Sequence, residues 1–156
     1  MDLDHVTAIV ADADAAAATL ELVLGAPPAG AVELAGMRIR TFRAGATEIH
    51  VNAPTGSGPV LDHHRAKGPG LHHLALPVEA LAQRLRELEA LGVRAAGEPV
   101  ETAPGLREVF LDPETTSGLM IQLVERRRPD DATGALDPGA VLALAGQPRR
   151  ADAGSE

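Results

Sequence analysis

The chain has 156 residues with a formal charge of −8, and its 45% apolar content is enough for one ordinary domain or two small halves sharing a core. Cysteine is absent, so disulfides and thiolate chemistry are excluded and a metal site has to be built from His, carboxylate, amide or backbone groups. The single lysine and acidic balance argue against nucleic acid, and no apolar run approaches the roughly 20 residues of a membrane span. The N-terminal "MDLDHVTAIV" lacks the basic start of a signal peptide, so a cytoplasmic protein with no membrane partner is expected.

In chain order, "LDHVTAIV" (3–10) reads as a strand and "DADAAAATLELVLG" (12–25) as a helix ended by glycine. A short strand near Ala31–Leu34 follows, then strands "GMRIRTF" (36–42) and "TEIHVNA" (47–53). The Gly- and Pro-rich "PTGSGPVLDHHRAKGPG" (54–70) reads as a connector, with His63 and His64 exposed. "LHHLALPV" then repeats the first strand at an offset of 68, so that Leu3 matches Leu71, His5 matches His73 and Val10 matches Val78. A second helix is predicted over 78–92, a short strand near Pro99–Glu101, and strands over 106–112 and 118–124. The reading is therefore α+β: a first βαβββ module at 1–53, a connector at 54–70, a second module at 71–125, and a tail at 126–156. In the tail, "RRR" (126–128) reads as a solvated strand end. The remainder is expected to lie outside the core, partly disordered, with one short helix at 138–146 capped by Asp137.

Duplication implies a curved mixed sheet around a shared concavity in which equivalent positions converge. With period-2 alternation, Val6, Ala8 and Val10 pack beneath the first helix while His5, Thr7 and Ile9 face the other way. In the second copy, Leu74, Leu76 and Val78 pack while His73 faces inward, and His72 lies on the opposite face with Asp4 as its counterpart. His50 and Gln122 each interrupt an apolar alternation (Ile49, Val51; Ile121, Leu123), and a buried polar group needs a partner. Any one such histidine alone is ordinarily a hydrogen-bonded structural residue. Four at equivalent inward positions are a candidate site.

These segments, with "GATEIHVNAP", "LEALGVRAAGEP" and "LDPETTSGLMIQLVE", resemble the vicinal oxygen chelate superfamily over residues 3–125, and among its members the methylmalonyl-CoA epimerases. The resemblance implies two βαβββ modules around a metal-binding cleft and places the four ligands on His5, His50, His73 and Gln122. His50 stands where epimerases carry Gln or Glu, and Gln122 where they carry a Glu. Such a neutral set suits Zn, Co, Ni or Fe better than Mg or Ca and leaves the ion its full charge. An amide accepts no proton at neutral pH, so the base is sought at Glu48, about 7 Å from His50 on the same strand face, or at Glu33. Thr7 and Arg38 are candidates for substrate contact, Arg38 as a carboxylate or phosphate clamp. The implied activity is a metal-dependent isomerase that stabilises the enolate of a small acyl or acyl-CoA substrate, in a homodimer. The alternatives are a glyoxalase-type lyase or Fe-dependent oxygenase acting on a specialised metabolite, and a non-catalytic small-molecule binding or resistance protein.

Overall fold

A computed structural model describes residues 3–34, 36–127 and 135–147. The chain divides between Ala75 and Leu76 into two compact units. The elements follow the expected order twice: β, α, then three strands.

In the first unit, β1 (His5–Ile9), α1 (Ala13–Leu24), β2 (Gly30–Leu34), β3 (Met37–Ala44) and β4 (Thr47–Pro54) are followed by α2 (Pro59–Lys67) and β5 (Gly70–Pro77), whose last two residues belong to the second unit. The strand order is β2-β3-β4-β1-β5. β1 runs parallel to β4, and the β1–β5, β2–β3 and β3–β4 pairs are antiparallel, so the sheet is mixed. Asp12 starts α1 by accepting from the amides of Asp14 and Ala15, and Gly25 ends it at φ 65°, a left-handed conformation that costs glycine little. Ala17 and Leu20 of α1 pack on Phe42 and Val51 together with Ala8, Val10 and Ile49, the strand face expected to be the packing one. β3 turns into β4 through the two-residue loop Gly45–Ala46, with Gly45 at φ 67° as a tight hairpin requires.

The connector holds a helix that the sequence reading did not anticipate. Pro59 occupies the first turn of α2, where its missing N–H costs nothing, and Val60 is buried. His63 and His64, expected to be exposed, are half-buried for the same reason.

The second unit contains α3 (Leu81–Ala90), β6 (Val100–Ala103), β7 (Leu106–Phe110), a 3-10 turn (Pro113–Thr115), β8 (Ile121–Arg126) and α4 (Pro138–Ala145), with strands in the order β8-β7-β6. α3 starts three residues later than predicted, because the Val78 amide is bonded to the Val124 carbonyl at 2.8 Å and Ala80 offers no capping side chain. Glu125 of β8 fills that role, accepting from the Leu81 amide at 3.1 Å. Leu81, Val109, Leu111 and Leu123 form the core, with Leu76, Val78, Leu85, Leu88 and Ile121 against it. β8 also starts three residues later than predicted. Residues 112–119 are held in the turn instead: Ser117 takes φ 58° and the Thr116 hydroxyl donates to the Leu119 carbonyl at 2.6 Å.

α4 forms where the tail helix was predicted, with the Asp137 side chain accepting from the Ala140 amide at 2.9 Å. It does not lie outside the core. It packs on β6 and β7 and buries Leu144, and Gln147 just beyond it accepts from the Phe110 amide at 3.0 Å and donates to the Glu98 carbonyl at 2.7 Å. Arg126 and Arg127 are exposed, as expected of a solvated strand end; Arg128 and the remaining tail expected to be disordered lie outside the described residues.

Candidate active site

Cross-strand register gathers the first unit's histidines on the sheet face opposite α1. His5 and Thr7 pair with Glu48 and His50 on β4, and Thr7 pairs with His73 on β5. Ile49 and Val51 point the other way, into the core under α1. The result is a contiguous imidazole cluster. His5 is buried, its Nδ1 2.8 Å from Asp4 Oδ1 and its Nε2 3.2 Å from His73 Nε2. His73 Nδ1 is 2.8 Å from His72 Nδ1, and the His72 ring meets that of His63 edge-on, with centroids 4.4 Å apart. His50 stacks flat on His5, centroids 4.3 Å apart and planes 12° from parallel, while its Nε2 lies 3.0 Å from Glu48 Oε2. Thr7, 1% exposed, has a buried hydroxyl with no partner among the described residues.

One proton arrangement satisfies all three contacts along this chain with neutral rings. His72 Nδ1–H donates to His73 Nδ1, His73 Nε2–H donates to His5 Nε2, and His5 Nδ1–H donates to Asp4. At His72 burial favours the neutral ring. It pushes His72 down to about 4, with His63 adding to the effect. It also lowers His50, helped by the nearby His5 and opposed by Glu48. His63 is lowered by burial, then by Lys67 and His64.

Two of the three expected histidine ligands fit a metal ion. Donor atoms of two imidazoles on one tetrahedral ion at about 2.0–2.1 Å stand about 3.3 Å apart, and His5 Nε2 and His73 Nε2 are 3.2 Å apart. Asp4 behind His5 fixes the tautomer that leaves the Nε2 lone pair available, and His72 can accept the proton that His73 would shift to Nδ1. The third histidine does not converge. His50 presents its ring face to His5 and its Nε2 to Glu48, and among the described residues no three His, Asp or Glu side chains stand where one ion would touch them all.

In the second unit Gln122 is 3% exposed; its Nε2 donates to Glu108 Oε1 at 3.1 Å, and its Oε1 has no partner among the described residues. Glu108 Oε2 accepts from the Thr102 hydroxyl. Both Glu108 and Thr102 are buried. Neither was singled out from the sequence, yet a signal existed: Glu108 shares strand parity with Phe110, and a carboxylate on that buried side demands donors.

Residues 4–110 match the family model of the Glyoxalase/Bleomycin resistance protein/Dioxygenase superfamily. The chain belongs to that superfamily. It is 30% identical over 127 residues to the ethylmalonyl-CoA/methylmalonyl-CoA epimerase of Cereibacter sphaeroides, covering 78% of this chain and 95% of the relative. It is 29% identical over 126 residues to the mitochondrial methylmalonyl-CoA epimerase of Homo sapiens, covering 78% and 72% respectively. The crystal structure of methylmalonyl-CoA epimerase from Mycobacterium tuberculosis superposes with a TM-score of 0.73 at 30% identity, over 85% of this chain and 91% of that one. The α+β fold of two βαβββ modules is thus the vicinal oxygen chelate fold expected from the duplication.

Within this superfamily scaffold, Glu33 and Arg38 are not brought to the histidines. They are cross-strand partners on the α1 face. Arg38 Nε lies 2.7 Å from Glu33 Oε1 and its Nη1 2.7 Å from Asp14 Oδ2, and Arg40 joins the same two carboxylates. Two cations and two anions on a solvated face neutralise one another. Glu48 is on the histidine face, where it bonds His50 and lies 3.4 Å from Arg43 Nη2. His72, expected on the opposite face, comes beside His73 because β5 is bulged: Thr7 pairs with His73 and Ala8 with Leu71, leaving His72 as the extra residue.

Proposed function

We propose that the chain is an epimerase of the methylmalonyl-CoA type, acting on an acyl-CoA thioester whose α-carbon carries a second carboxyl group. The observation that carries this reading is the pair of Nε2 atoms of His5 and His73 at 3.2 Å, backed by Asp4, in a chain whose relatives include two epimerases. His5 and His73 would hold a divalent ion, of the Zn, Co, Ni or Fe class, which when bound supplies Lewis acidity to the vicinal oxygens of the substrate. Asp4 and His72 set the tautomers of the two ligands. The Glu48–His50 pair moves the proton at C2: a neutral His50 whose Nε2–H donates to Glu48 retains a basic Nδ1, and Glu48 stabilises the imidazolium formed when that nitrogen takes the proton. The Thr7 hydroxyl offers the substrate a buried donor. Gln122, expected from the sequence as a further metal ligand, lies in the second unit.

The test is incubation with methylmalonyl-CoA in deuterated water, after purification without chelator. Deuterium at C2 with loss of stereochemical purity is expected, and Glu48→Gln is expected to slow exchange by about 100-fold or more. Elemental analysis should find a stoichiometric metal that His73→Ala loses. A second reading, a binding protein without catalysis, is favoured by one observation: His50 turns to Glu48, and among the described residues no third His, Asp or Glu converges with His5 and His73. Metal-free protein and no deuterium incorporation would establish it over the first.

A further inference from the structure

A primary carboxamide is ambiguous as a recognition group, since exchanging its oxygen and nitrogen turns an acceptor into a donor. For Gln122 the second unit removes that ambiguity. Val109, Leu111 and Leu123 point into the core with Leu81 of α3, so by strand alternation Glu108 and Gln122 occupy the opposite face of the β7–β8 pair. There they are diagonal neighbours, Glu108 lying across from Val124 and Gln122 across from Phe110. Thr102 sits at the irregularity in β6 where the register shifts between Glu101 and Ala103, and its hydroxyl reaches Glu108 Oε2. With that oxygen engaged, Glu108 Oε1 takes the Gln122 Nε2–H at 3.1 Å. Reversing the amide would set two acceptor oxygens against each other in a buried site, where low dielectric magnifies the repulsion. Gln122 Oε1 is therefore turned away from Glu108, a buried acceptor with no partner among the described residues. An unmet acceptor of this kind is costly and calls for a ligand.

The geometry points to Glu108 as a positioning residue that locks Gln122 with Oε1 as an acceptor, presented to an electropositive atom of a ligand: a divalent cation, or an N–H or O–H of an acyl-CoA. The orientation stands on the second unit's own geometry. Only the choice of acyl-CoA rests on the epimerase reading.

The chain has three glutamines, so 15N-glutamine labelling of the full chain gives few side-chain NH2 signals, and loss of a pair in Gln122→Leu assigns that residue. In the parent, the Gln122 NH2 protons should exchange with deuterated water at least about tenfold more slowly than those of exposed Gln83. Glu108→Leu, which removes the acceptor, should abolish that protection. Zinc chloride and methylmalonyl-CoA are titrated separately, and whichever shifts the Gln122 signal identifies the source of the electropositive atom. That probe should bind about tenfold or more weakly to Glu108→Leu. The reciprocal double variant, Glu108→Gln with Gln122→Glu, keeps an oxygen acceptor at 122 and an amide donor at 108, and should bind better than Gln122→Glu alone, whose two carboxylates oppose each other. A purely structural role for Glu108 predicts no such gain. The proposal is overturned if Glu108→Leu keeps parental protection and affinity, if neither probe moves the Gln122 signal, or if the double variant binds no better than Gln122→Glu. Should Glu108→Leu fail to fold, the double variant decides alone, and binding no tighter than that of Gln122→Glu overturns the assignment. C2 exchange is read on the same parent sample. Binding without exchange ends the epimerase reading and leaves Glu108 in its role; exchange with an unmoved Gln122 signal does the reverse.

Discussion

His72 shows how much one residue's surroundings decide. On a regular strand it would point away from His73, but the β5 bulge folds its ring back against His73 and His63, where burial holds it neutral down to about pH 4. In the unfolded chain the same imidazole titrates near 6.5. Between these values the unfolded state binds more protons, so stability is fully present above about pH 6.5 and falls as the pH drops toward 4. Linkage puts this contribution on the order of 2–3 kcal/mol. Urea titrations at a series of pH values should show that slope, and His72→Phe should flatten it. An unchanged slope would mean that other groups carry the acid sensitivity. Parity alone identified His5, Thr7, His50 and His73 as face-sharing residues, because a two-residue period survives in β1, in β4 and in β5 from His73 onward. It failed at His72 because a bulge is a property of pairing between strands, and it passed over Glu108 because its partners Thr102 and Gln122 come from neighbouring strands.

At the level of elements, the helices divide by whether their start signals are local. α1 is capped by its own Asp12, and its extent was legible to within a residue. α3 borrows Glu125 from β8 as its N-terminal acceptor, so its start was not. Asp12→Ala should therefore cost about 1 kcal/mol, read as a lower urea midpoint with unchanged slope. Glu125→Ala should cost more, on the order of 2 kcal/mol, because it leaves the Leu81 amide unmet and Arg107 without its carboxylate 3.4 Å away. Equal losses in the two variants would show that the borrowed cap contributes no more than the local one. α2 escaped notice because glycine and proline dominate its flanks. Pro59 there is a helix-starting residue, and only the burial of Val60 distinguishes that use from a turn.

For the molecule as a whole, duplication is the organising fact: each half repeats strand, helix and three strands, and the superfamily match and the epimerase superposition follow from that order. The additions to this plan among the described residues are α2 in the connector and α4, which covers β6 and β7. Leu144, 5% exposed, anchors it, and Leu144→Ala should destabilise the fold by about 2–3 kcal/mol, measured by urea unfolding. A loss below about 0.5 kcal/mol would place α4 among solvated appendages after all.

The sequence by itself determined what depends on neighbours in the chain: the repeat, the alternation that separates core from histidine face, the Asp12 and Asp137 caps, and hence the fold and superfamily. Only the tertiary structure decided what depends on register between strands distant in sequence: Glu33 and Arg38 satisfying each other on the α1 face, His50 turning to Glu48 while His5 meets His73, and Glu108 orienting Gln122. The physical reason is range. Periodicity and capping act over a few residues, whereas the partner of a polar side chain is set by which strand lies beside it, and that is fixed only when the whole sheet assembles.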